Sequence, residues 1–191
     1  MAGSSQYTAI LDANVLYPAA LCDLLLSLAA GDLFHARWTE QIHEEWIRNL
    51  LKARPELDGK IQRRAEQMNM AIPDCLVTDY QLLIPSLALP DDDDRHVLAA
   101  AIVGHADAIV TYNLKDFPAD ALKPYSIEAI HPDDFVMNQI ELYQVPALTA
   151  IKTMRARSKK PPMSVQEMVQ IFQRNRLPQL ATFLGTVESL I

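Results

Sequence analysis

Glycine is scarce: there are five in 191 residues. No Gly-rich loop is available to cradle phosphates on backbone amides, which removes the P-loop and dinucleotide-binding classes. No G-x-S-x-G elbow exists, so serine hydrolase chemistry of that type has no seat. The two cysteines, Cys22 and Cys75, match no metal-ligand spacing and read as reduced thiols of a cytoplasmic protein. Histidines at 96, 105 and 131 show neither HxH nor HExxH spacing. The longest apolar run, Leu24 to Ala30, is far too short to cross a bilayer. The N-terminus has neither the basic segment nor the apolar core of a signal peptide. A basic excess is also missing. The net charge of −7 argues against a general polyanion binder, but it leaves room for an enzyme that meets nucleic acid through metal ions and a local basic patch.

What is present is a strand that runs into an acid. Thr8-Ala-Ile-Leu-Asp12-Ala-Asn14-Val-Leu16 has small and branched residues leading to Asp12, with Asn14 suited to cap the helix that follows. The carboxyl end of a strand faces the ligand crevice of an open parallel sheet, so Asp12 is expected at a site. A helix is expected over 15–30, ended by Gly31, then an extended segment over 34–38. Thr39 caps a helix through about Ala53, with Ile42, Trp46 and Leu50 on its buried stripe. Pro55 opens another helix through about Met70. A strand is expected at 82–84. The run Asp91-Asp-Asp-Asp94 starts a helix reaching about His105, followed by strands at 107–111 and 126–130 and a helix from Pro132. Strands alternating with helices predict a parallel sheet covered on both faces. Beyond about residue 145 the character changes. Met154 to Pro162 reads as a basic connector ended by prolines, Ser164-Val-Gln-Glu167 as a capping box, and 178–191 as a final helix.

Asp12, Glu45, Asp94 and Asp116 all fall near element ends or on element edges. Advancing ~100° per residue, Asp94 lies in the arc of Val97, Leu98 and Ala101, and Asp91 shares that face while Asp92 points away. The same count puts Glu45 at the edge of the stripe through Ile42 and Trp46, and Glu44 nearly opposite. Clustered carboxylates without basic partners repel one another and hold protons until a cation offsets them. Hard oxygen ligands suit Mg²⁺ or Mn²⁺, ions that assist phosphodiester hydrolysis.

With these residues in hand, the chain resembles the PIN-domain proteins, and more narrowly the VapC-type toxins of bacterial toxin–antitoxin pairs. The resemblance rests on Ile10-Leu-Asp12-Ala-Asn14-Val-Leu16, on Ile42-His-Glu-Glu45 with Leu50, on Asp94-Arg-His-Val-Leu-Ala-Ala-Ala101, and on Ala108-Ile-Val-Thr111-Tyr-Asn113-Leu-Lys-Asp116-Phe117. It implies a three-layer α/β/α sandwich around a parallel sheet, with the family's acidic metal site on Asp12, Glu45, Asp94 and Asp116. Thr111 and Asn113 match polar positions supporting that site. It further implies Mg²⁺- or Mn²⁺-dependent endoribonuclease action on an RNA substrate, a cognate antitoxin protein as partner and no membrane association, and it is compatible with a homodimer. Asp12, Asp94 and Asp116 would hold metal, while Glu45 would complete the shell or position the attacking water.

The expected organisation is therefore a PIN-like nuclease domain over 1–145 and a helical C-terminal appendage over 146–191 that packs independently. The appendage resembles the extra helical region of some VapC-like proteins, through Val165-Gln-Glu-Met-Val-Gln-Ile-Phe and Leu177-Pro-Gln-Leu-Ala-Thr-Phe-Leu184. Lys52, Arg54, Lys60, Arg63 and Arg64 are candidates for RNA backbone contacts, beside the equal alternative of ordinary solvated helix charges. Two other readings stay open: a related structure-specific DNA nuclease, and a non-catalytic module that keeps the fold to bind a protein.

Overall fold

A computed structural model describes residues 7–191; the opening six residues of the 1–145 unit lie outside the described range. Four parallel strands form its centre: β1 (Thr8–Leu11), β2 (His35–Arg37), β3 (Ala108–Val110) and β4 (Glu128–Ile130), in the order β2-β1-β3-β4. Ile10 stands opposite both Arg37 and Ile109, and Ile109 opposite Ala129. β1 and β3 are wholly buried, which is why each reads as a continuous apolar run rather than an alternation.

The helices are α1 (Ala13–Leu16), α2 (Ala19–Ala30), α3 (Glu40–Ala53), α4 (Ile61–Ala71), α5 (Arg95–Val103), α6 (Ala119–Leu122) and α7 (Pro132–Leu142). The tail adds α8 (Gln144–Arg157), α9 (Val165–Arg174) and α10 (Pro178–Thr186). Together they make the expected three-layer α/β/α sandwich with C-terminal helices. Because every strand runs the same way, the loops after β1, β3 and β4 open on a single edge.

Several local expectations change. Asn14 lies inside α1, and the N-cap is Asp12, whose carboxylate accepts from the Ala13 N–H. Pro18 divides the expected 15–30 helix into α1 and α2, since a proline nitrogen carries no proton for the helical ladder. Gly59, at φ +73°, separates a 3₁₀ turn at Pro55–Leu57 from α4. The expected strand at 82–84 is instead a 3₁₀ helix, Gln81–Ser86. Pro85 cannot donate to a ladder, Leu82 points into solvent, and Leu83 N–H closes onto the Tyr80 carbonyl.

The basic stretch after Met154 is not a free connector. Through Arg157 it is the last turn of α8, and its cations fasten the tail: Arg157 reaches Asp23 at 2.6 Å and Ser27 at 2.7 Å, and Arg155 donates to the carbonyls of Met163 and Ile191. Phe172, Leu177, Leu180 and Leu184 are buried in the same continuous core as the sheet. α10 docks on α7, and α8 and α9 dock on α2. The capping box at Ser164 and Glu167 forms in full.

Candidate active site

The first wall is built at the end of β1. Asp12 is buried, and its carboxylate accepts from Ala13 N (2.6 Å), Asn14 Nδ2 (2.6 Å) and Thr111 Oγ1 (2.7 Å). Asn14 also donates to Thr111 Oγ1 at 2.9 Å and accepts from Tyr112 N at 3.1 Å, so the loops after β1 and β3 are laced together. Desolvation nevertheless raises the Asp12 carboxyl above its ordinary range, outweighing the hydrogen bonds that favour the anion.

The second wall is the loop after β3. Thr111 Oγ1 accepts from Asn113 N at 3.0 Å, and Asn113 Nδ2 donates to the largely buried Asp116. Opposite stands the acidic run at the start of α5. Asp91 caps its 3₁₀ turn by accepting from Asp93 N at 2.9 Å, and Asp92 pairs outward with Arg95. The phase argument for the inward face of this run holds. Carboxylate oxygens of Asp91, Asp94 and Asp116 come within 4.8 Å of one another, and none has an ion-pair partner among the described residues. Asp94 pays for this with a carboxyl pushed up to about 7, first by desolvation and then by the charges of Asp12, Asp91, Asp116 and Glu45. The four expected acids therefore share one electrostatic neighbourhood. Asp94 and Asp116 belong to the tight cluster, Asp91 joins them, and Asp12 and Glu45 stand around it.

Glu45 comes from α3, whose pose is fixed by a buried relay. Trp46 Nε1 donates to His43 Nδ1 (2.9 Å), which leaves His43 Nε2 to donate to Asn69 Oδ1 (2.9 Å), where Trp38 Nε1 also donates (2.8 Å). Glu45 is partly buried, whereas Glu44 is exposed. His96, overlooked as a lone histidine, is 2 % exposed, and its Nε2 lies 2.8 Å from Glu45 Oε1. The contact is one of proximity rather than alignment, since neither ring nitrogen has a hydrogen-bond partner among the described residues. The signal for it was its spacing: two residues past Asp94, beside the inward stripe of α5.

A groove of about 740 Å³ runs from Asp93 and Asp94 along α3, lined by Gln41, Glu44, Glu45, Arg48 and Asn49. A larger recess, about 820 Å³, lies by β4 and contains none of the four acids. Of the expected basic contacts, Arg64 is already engaged, donating to the Leu16 carbonyl at 2.7 Å and stacking 4.6 Å over Trp46. Arg54 pairs with Glu56. Lys52, Lys60 and Arg63 remain exposed. Both cysteines are free and buried, and no helix among the described residues is long and apolar enough to cross a membrane.

Comparison with known proteins agrees with this fold. The sequence model of the PIN domain matches residues 8–115, and that of the VapC50 C-terminal domain matches residues 132–186. A protein of Mycobacterium tuberculosis (strain ATCC 25618 / H37Rv) named "Putative ribonuclease VapC50" is 46% identical over 88 residues, which cover 46% of this chain and 52% of that protein. The match thus spans about half the length of that curated relative. No solved structure matches. With its acids gathered at the carboxyl edge of the sheet and its tail matched separately, the chain belongs to the PIN-domain family, in the VapC type that carries a C-terminal extension.

Proposed function

We propose that this protein is a divalent-metal-dependent endoribonuclease, that it acts in the cytoplasm, and that it is the toxin of a toxin–antitoxin pair. The observation that carries the reading is the cluster of Asp91, Asp94 and Asp116, without an ion-pair partner among the described residues, at the carboxyl edge of a parallel sheet. Three hard anionic donors at mutual distances under 4.8 Å, with one carboxyl driven up to about 7, suit a small divalent cation such as Mg²⁺ or Mn²⁺. When bound, such an ion activates water for attack on phosphorus and offsets charge on the leaving oxygen. Asp94 and Asp116 would hold it with Asp91, and Asp12 would complete the anionic wall from beneath. Thr111 and Asn14 keep Asp12 oriented, as Asn113 does for Asp116. Glu45, with one oxygen against His96, would position the attacking water and accept its proton at the other. The groove along α3 would take the strand next to the cleaved bond. The division near residue 145 is kept as a functional one, with 1–145 carrying the nuclease and 146–191 the appendage.

Cleavage of a mixed RNA pool, with a DNA pool in parallel, tests the reading. Cleavage in Mg²⁺ or Mn²⁺, none in EDTA, and none by Asp12→Asn, Asp94→Asn or Asp116→Asn is expected. Full activity in EDTA would refute metal dependence, and cleavage of DNA alone would refute the ribonuclease. In cells, the wild-type chain expressed alone should arrest growth while Asp94→Asn should not.

A further inference from the structure

The turn between α9 and α10 has an uncommon backbone. Six non-glycine described residues have positive φ: three Asp, one His, one Ser, and Arg176 at φ +61°. Short polar side chains tolerate the left-handed region through local hydrogen bonds; a long arginine has no such compensation. Arg176 occupies the position just past a helix end where glycine is favoured, and Leu177 N–H closes back onto the Phe172 carbonyl as that motif requires. Its side chain is exposed and forms no ion pair among the described residues.

The turn is held at the active-site edge. Tyr112, flanked by Thr111 and Asn113, donates its hydroxyl proton to the Asn175 carbonyl at 2.5 Å, and its ring packs on His131 at the end of β4. Arg176 is close enough for its charge to act on the Tyr112 hydroxyl. Asp133 at the start of α7 accepts from Gln179 N and Leu180 N, fixing the start of α10 to the same edge. Arg155 and Arg157 are engaged on carbonyls and on Asp23, and Arg174, also exposed, donates its Nε to the Gln170 carbonyl of its own helix. Arg48 lines the groove of α3 beside Asp94, and Arg176 lies by the loop after β3, next to Tyr112.

We propose that Arg176 binds a backbone phosphate of the RNA as the strand leaves the acidic site, which makes the C-terminal helices part of the substrate-binding surface. This rests on the ribonuclease reading above. A cation is needed there, because a strand crossing a carboxylate cluster on a chain of net charge −7 meets repulsion on both sides of the metal. The backbone penalty explains why a test by substitution is clean. Glycine relieves the turn, so Arg176→Gly removes the charge while keeping or raising Tm.

The measurement is the affinity of a fluorescent single-stranded RNA of mixed sequence across a salt series, with Ca²⁺ in place of Mg²⁺, alongside Tm. Arg176→Gly should weaken binding roughly tenfold and lower the slope of log affinity against log salt by about one. Arg176→Lys should retain most of both. Unchanged affinity and slope in Arg176→Gly would overturn the inference, as would a fall in its Tm, which would make the side chain structural. Equal weakening in the glycine and lysine variants would also overturn it. If the wild type neither binds nor cleaves RNA, the ribonuclease reading itself falls.

Discussion

At Asp94 two effects act in the same direction: removal from water, and the surrounding charges of Asp12, Asp91, Asp116 and Glu45. Both favour the protonated acid, so its folded-state value rises from 3.8 to about 7. The sign of the consequence follows from proton uptake. Between those values the folded protein binds a proton that the unfolded chain has released, so stability falls as pH rises through the interval. The Tm of the metal-free protein should therefore decline between about pH 5 and pH 7.5. Asp94→Asn should flatten that profile and raise Tm at neutral pH, and adding Mg²⁺ to the wild type should also raise it. A metal-free profile that climbs over this range would contradict the account.

Glu45 and Glu44 allow a second comparison at the same scale. Both line the groove along α3 but differ in burial: one is partly buried against His96, the other exposed. Glu45→Gln is expected to abolish most cleavage with Tm unchanged or slightly higher through relief of acidic repulsion. Glu44→Gln should be nearly silent in both assays. The helical phase around Ile42 anticipated this asymmetry, whereas the His96 contact could only be read from coordinates.

At the scale of elements, the apolar cores of the appendage and the sheet are continuous. Phe172, Leu180 and Leu184 lie in the core cluster that also contains Leu21, Leu25, Phe135 and Val136. Independent packing, expected from the prolines at 161 and 162, is not what these contacts favour. Phe172→Ala should destabilise the whole protein in one cooperative transition by about 3–5 kcal/mol. A chain ended at residue 145 should aggregate or melt well below the full protein, because α2 and α7 would lose their cover. Two resolved melting transitions in the full chain, with only one sensitive to Phe172→Ala, would restore the independent appendage. α3 shows a related dependence. His43 is driven toward its neutral form by burial, and it joins Trp46 to Asn69, which fixes the helix that presents Glu45.

At the scale of the molecule, the proposed function would require a chain of net charge −7 to bind a polyanion. If the divalent ion offsets the carboxylates, its removal should weaken RNA binding itself as well as cleavage. Affinity for single-stranded RNA measured in Ca²⁺ and in EDTA separates the two effects; equal affinity would mean that the cations alone recruit the strand.

Sequence by itself determined the elements whose local chemistry is unambiguous. Apolar runs ending in Asp12 and Thr111 gave buried parallel strands, Thr39 and Ser164 capped helices as their side chains require, and helical phase set Asp94 on the inward arc of its helix and Glu45 at the edge of a buried stripe, both partly buried. It failed at 82–84, where three apolar residues fit a strand or a 3₁₀ turn equally and only the absence of a pairing partner chose. Three further outcomes were decided by tertiary structure alone. Asp116 came up against Asp91 and Asp94, His96 met Glu45, and Tyr112 tied the tail to the site across 63 residues of chain. Each depends on distances between elements far apart in sequence, which periodicity and capping, being properties of a few consecutive residues, do not encode.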